Sequence, residues 1–124
     1  MTKFLLETDV LVDHLTSEKN NYLLNLMQKG ICFTTVLNAS ELLAVCKNEK
    51  ELKEVRSVLD SLKVLGLHSR YALSVPEFSG KTKNIRDALF AVVSLINKLP
   101  VVTFNRDRYS KTNLKIIHPQ EVGA

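Results

Sequence analysis

Five short apolar runs, the first four separated by stretches of helical periodicity, constrain this chain more than any other feature. Residues 3–6, 31–35, 63–67, 100–104 and 115–118 are each bounded by turn residues or charges, which predicts five strands. Their apolar character is continuous rather than alternating, as it is when helices cover both faces of a parallel sheet. Between them, Leu23, Leu26 and Met27 mark a helix over 18–28 closed by Gly30. Leu42, Leu43 and Cys46 mark another over 39–47, and Leu52, Val55, Leu59 and Leu62 a third over 50–62. The segment 85–96 is apolar nearly all round, so it should lie between the sheet and a further layer or a second subunit. This order predicts an α/β fold, a three-layer α/β/α sandwich with a parallel five-stranded sheet. With 124 residues, no linker and no repeat, 1–124 reads as a single domain.

No apolar run approaches the roughly 20 residues needed to span a bilayer. The opening Met1-Thr2-Lys3-Phe4-Leu5-Leu6 reaches Glu7 too soon for a signal peptide, so a cytoplasmic protein without a membrane partner is expected. Cys32 and Cys46 sit in apolar segments without metal-ligand spacing and read as small buried hydrophobes. A net charge of +4 and a pI near 9.1 favour an anionic partner without identifying it.

In open parallel sheets the functional site lies beyond the carboxyl ends of the strands. Glu7 and Asp9 follow the first predicted strand, Glu41 follows the second, Asp87 opens the buried helix, and Asn105 and Asp107 follow the fourth strand. If Glu7 and Asp9 continue the strand they share one face. Crowded carboxylates repel one another unless a cation neutralises them. Oxygen ligands without His or Cys point to Mg²⁺ or Mn²⁺, ions that activate water for phosphoryl displacement. The metal ligands expected are Glu7, Asp9, Glu41 and Asp87. Helix capping explains some of these acids without a metal: Asn38-x-x-Glu41 and Asn84-x-x-Asp87 are spaced as an N-cap and an N3 acid, and Asp9 is placed to cap a short helix towards Leu15.

Lys81, Lys83 and Arg86 precede Asp87, while Arg106, Arg108 and Lys111 follow the fourth strand; all six are candidates to hold a phosphate backbone beside the metal. Lys47, Lys50, Lys53 and Arg56 alternate with Glu49, Glu51 and Glu54 and read as a solvated face. Ser79-Gly80-Lys81-Thr82 imitates the end of a P-loop, but Val75 stands where the first glycine is needed. A receiver domain needs an acceptor Asp after the third strand, where this chain has His68-Ser69-Arg70. His14, His68 and His118 are too scattered to share a site.

The segment Leu5-Leu6-Glu7-Thr8-Asp9-Val10-Leu11-Val12-Asp13 resembles the opening of PIN-domain toxins of the VapC type. Ser40-Glu41-Leu42-Leu43 is similar to that family's second motif, Arg86-Asp87-Ala88-Leu89-Phe90-Ala91 to its third, and Val102-Thr103-Phe104-Asn105-Arg106-Asp107 to its fourth. Ile116-Ile117-His118-Pro119 looks like its last strand. The resemblance implies a Mg²⁺- or Mn²⁺-dependent endoribonuclease that cleaves single-stranded RNA, forms a homodimer and is neutralised by a cognate antitoxin protein. Glu7 stands where the family carries its first catalytic Asp and Asp9 where it carries Asn, so either Glu7 reaches the metal or Asp9 takes part of its role. Asn105 is tolerated by the family, and Asp107 is placed to compensate for its lost charge. The alternative is a PIN-fold module that has lost its chemistry and holds RNA or a protein partner.

Overall fold

In a computed structural model that describes residues 1–122, the chain runs β1 (Lys3–Leu6), α1 (Thr8–Thr16), α2 (Tyr22–Lys29), β2 (Ile31–Thr35), α3 (Val36–Ala44), α4 (Glu49–Asp60) and β3 (Lys63–Leu65). A long 3-10 segment, Ser69–Phe78, precedes α5 (Ile85–Asn97). Then come β4 (Val101–Val102), a 3-10 turn at Arg106–Tyr109, β5 (Ile116–Ile117) and α6 (Pro119–Val122). All pairings are parallel and the order is β3-β2-β1-β4-β5, so β1 occupies the centre of the expected five-stranded sheet.

Neighbouring residues on each strand alternate between two cores, as the pleat requires. Phe4, Leu6, Cys32, Val102 and Ile117 face the layer made by α1 to α4, whereas Leu5, Phe33, Val101 and Ile116 face α5 and the 3-10 segment. Gly30 brings the chain from α2 into β2 against the start of β1. A Cβ there would stand 2.5 Å from the Thr2 carbonyl oxygen, which only glycine avoids.

Several expectations shift in detail. The helix of 39–47 begins earlier, at Val36, because Thr35 rather than Asn38 is its N-cap: Thr35 Oγ1 accepts from the Leu37 and Asn38 amides. The first strand ends at Leu6, and α1 is a full helix capped by Glu7 rather than by Asp9. Glu7 and Asp9 therefore do not share a strand face. The apolar excess of 85–96 is partly met within the chain, since Tyr71, Val75 and Phe78 of the 3-10 segment pack in the α5 core. Among the described residues no helix is long and apolar enough to cross a membrane.

Candidate active site

Parallel strands end together, and the loops leaving β1, β2 and β4 meet the first turn of α5 at that edge. Glu7 leaves β1 as the N-cap of α1, its Oε1 accepting from the Thr8 amide at 2.9 Å. Its side chain is fully buried, so its charge needs partners on every side. Asn38 Nδ2 donates to Oε1 at 2.9 Å, Tyr109 donates its hydroxyl to Oε2 at 2.6 Å, and Arg86 grips both oxygens at 2.6 and 2.7 Å. Burial alone would raise the Glu7 pKa. The hydrogen bonds and charge of Arg86, with those of Tyr109 and Thr8, outweigh burial and hold the carboxyl below its usual range.

Arg86 also reaches Glu41: Nη2 lies 2.6 Å from Oε1 and Nε donates to Oε2 at 3.3 Å. Its Nη1 donates to Asp87 Oδ1 at 3.2 Å. Thr8 completes the link by donating its hydroxyl to Glu41 Oε1 at 2.7 Å and accepting from Asn38 at 2.9 Å. Asp87 is buried in the first turn of α5, where Asn84 Oδ1 accepts from its amide at 2.8 Å, the capping arrangement expected from the spacing. Arg108 stands at 3.2 Å from Asp87 Oδ2 and 3.4 Å from Glu7 Oε2.

Asp9 lies beside this cluster on α1. Its Oδ2 accepts from the Thr103 hydroxyl at 2.7 Å and the Phe104 amide at 3.0 Å, which ties α1 to the segment that follows β4. Burial raises its pKa and the charge of Glu7 adds to this, against the hydrogen bonds from Thr103 and Phe104. A carboxyl raised in the folded state favours folding fully below its unfolded pKa, and that advantage is lost as pH rises through the folded pKa. Asp9→Asn, which keeps the acceptor and removes the charge, is therefore expected to melt higher than wild type at pH 7 in EDTA, with the gap closing below about pH 4. A lower melting temperature for the variant at pH 7 would contradict this account.

The expected residues thus divide. Glu7, Glu41, Asp87, Arg86 and Arg108 come together and Asp9 adjoins them, whereas Asn105 and Asp107, at the start of and within the turn that buries Tyr109, are exposed. Lys81, Lys83 and Lys111 are exposed, and Arg106 pairs with Glu121. Arg86, expected to face phosphate, turns inward instead. Asn38, Tyr109, Thr8 and Thr103 join the network without having been singled out for it.

The donor chemistry fits a hard divalent cation in kind and in charge, with four carboxylates facing two guanidinium groups. Two buried oxygens, Asp9 Oδ1 and Asp87 Oδ2, accept no hydrogen bond. Among the described residues, however, no three acidic, His or Cys side chains converge on one point as ligands, because the Arg86 guanidinium stands between them. A covalent nucleophile has little support: the Cys32 thiol is buried and pushed up to about 11.

A family model described as the PIN domain matches residues 4–114. No curated protein sequence gives a significant match. Solved structures with the same fold include VapBC2 from Rickettsia felis bound to a promoter DNA fragment, at 17% identity and a TM-score of 0.81, covering 94% of this chain and 98% of that one. DNA-bound VapBC from Salmonella typhimurium is 20% identical with a TM-score of 0.79, covering 96% of this chain and 99% of that one. VapBC-1 from nontypeable Haemophilus influenzae is 13% identical with a TM-score of 0.81, at the same coverages of 96% and 99%.

Proposed function

Because this chain belongs to the PIN domain family, we propose that it is an endoribonuclease which cleaves single-stranded RNA with Mg²⁺ or Mn²⁺, and that it is the toxin of a toxin–antitoxin pair. The observation that carries the reading is the meeting of Glu7, Glu41 and Asp87, with Asp9 beside them, at the carboxyl edge of a parallel sheet. Glu7, Asp9, Glu41 and Asp87 would hold the ion. The chemistry such an ion supplies is activation of water and charge neutralisation at a phosphodiester.

This chain's own residues do the rest. Tyr109 and Asn38 fix the Glu7 carboxylate, so its oxygens are oriented before any ligand arrives. Asn84 fixes Asp87, and the exposed Lys81, Lys83 and Lys111, with the part-exposed Arg108, would offer cations to the RNA backbone. The antitoxin partner is supported by the VapBC complexes that share the fold. A homodimer is supported by Leu95 and Ile96, exposed at the end of α5, and by the exposed Ile85 and Leu73.

The test is cleavage of a labelled single-stranded RNA beside its duplex form, in Mn²⁺ and in EDTA. Cleavage of the single strand alone, abolished by EDTA, is expected. Cleavage that persists in EDTA would overturn the metal-dependent mechanism, and RNA binding without cleavage in any metal would favour the binding-module reading.

A further inference from the structure

Arg86 touches three of the carboxylates, with Arg108 beside it on Glu7 and Asp87. Its guanidinium contacts both oxygens of Glu7, both of Glu41 and one of Asp87 at 2.6 to 3.3 Å, and sits over the Phe90 ring with its carbon 5.5 Å from the centroid. Arg86 lies in the first turn of α5, where the macrodipole is positive and a basic residue is disfavoured. Side-chain carboxylates draw it inward, and the Thr8 and Tyr109 hydroxyls accept from it at 3.1 and 3.4 Å. The arm is not sealed in: its side chain keeps 20% of its exposure, and Glu41, which closes the outer side, keeps 45%. A rotation about the side-chain torsions therefore releases the guanidinium to solvent without moving the helix.

Asp9 Oδ1 and Asp87 Oδ2 are buried and accept no hydrogen bond, although Asp87 Oδ2 faces the Arg108 side chain at 3.2 Å. These two oxygens do not make a complete coordination sphere for a hard divalent ion, which takes about six ligands. The oxygens of Glu7 and Glu41 that would add to them are held by Arg86.

We propose that Arg86 is a resident counter-ion which excludes the divalent metal, so that metal entry and departure of the Arg86 guanidinium are a single exchange. This rests on the metal-dependent reading above and adds to it a self-restraint encoded within the same chain. With the guanidinium in place the carboxylates are partly neutralised and held apart from a common centre; with it released, only Arg108 still faces Glu7 and Asp87, and the carboxylates repel one another unless an ion takes its place. Arg86 is on this account a positioning residue whose inward state lowers apparent metal affinity in proportion to its population.

Calorimetric titration of the full chain with Mn²⁺, for wild type and Arg86→Met, tests this. Arg86→Met is expected to bind Mn²⁺ roughly tenfold tighter than wild type, as when the inward state holds about nine-tenths of the molecules. It should also melt lower in EDTA and regain its melting temperature with Mn²⁺. Equal or weaker Mn²⁺ affinity in a folded Arg86→Met overturns the exchange while leaving the metal-dependent reading standing; no binding by either folded protein removes both. A second measurement is read on the wild-type protein and does not need Arg86→Met to fold. In wild type labelled at arginine with ¹⁵N, the Nε–H signal of Arg86, assigned by its loss in Arg86→Lys, is expected to lose its protection from solvent exchange as Mg²⁺ is added. Unchanged protection at saturating Mg²⁺ overturns the proposal.

Discussion

Glu7→Gln is expected to lower the stability of the protein by about 3 kcal/mol or more, because it removes the charge that answers Arg86 and leaves a largely buried guanidinium facing an amide. For a domain of this size that corresponds to a fall of roughly 10 °C in melting temperature, measured by calorimetry in EDTA. Glu7→Asp should cost less, since the charge remains and only the two-pronged contact with Arg86 is lost. Glu121→Gln is the control: Arg106 and Glu121 are each about half exposed, and a solvated pair contributes at most about 1 kcal/mol. The Glu7 effect has a pH signature. Its carboxyl is held below the usual range in the folded state, so its stabilisation is present above the unfolded pKa of about 4.3 and is lost as pH falls through the folded pKa. The gap between wild type and Glu7→Gln should close in acid. A gap that persists unchanged at low pH would mean that shape, not charge, is what the position requires.

Asp87→Asn and Glu41→Gln are each expected to reduce RNA cleavage by roughly 100-fold or more and to weaken Mn²⁺ binding, as loss of a charged ligand does. The two differ in how the fold responds. Glu41 is half exposed and its loss should leave the melting temperature nearly unchanged, whereas Asp87 is buried between Arg86 and Arg108 and its neutralisation should lower it. Cleavage rates, Mn²⁺ calorimetry and melts of the two variants separate ligation from folding. Wild-type Mn²⁺ affinity in Asp87→Asn would remove it from the ligand set.

The five strands, their parallel pairing and the acids Glu7, Glu41 and Asp87 near the strand tips were legible because each depends on local pattern: an apolar run, then an acid at its tip or in the next helical turn. What could not be read depends on how far a side chain reaches or which way a short turn faces. Arg86 is the neighbour of a buried acid on a helix, and successive helical residues point about 100° apart, so it reads as outward. Only the length of its arm folds it back over the carboxylates. Tyr109 lies among basic residues, in a four-residue turn too short to show periodicity, and the same turn puts Asn105 and Asp107 in solvent. Asn38 has a capping residue's spacing, but Thr35 takes the cap and frees the Asn38 amide for Glu7.

The bond from Tyr109 to Glu7 joins residues 102 positions apart, and β1 acquires its second neighbour only when Val101 and Val102 exist. During synthesis the amino-terminal half can pair β1 with β2 and cover one face, yet the pocket around Glu7 stays open until the chain is almost finished. At about 5–20 residues per second, that delay lasts several seconds. Loop closure over such a span is also entropically costly and slow. Each newly made molecule therefore passes through a period in which Glu7, Glu41 and Asp87 have all been made but Tyr109 does not yet hold Glu7 in place.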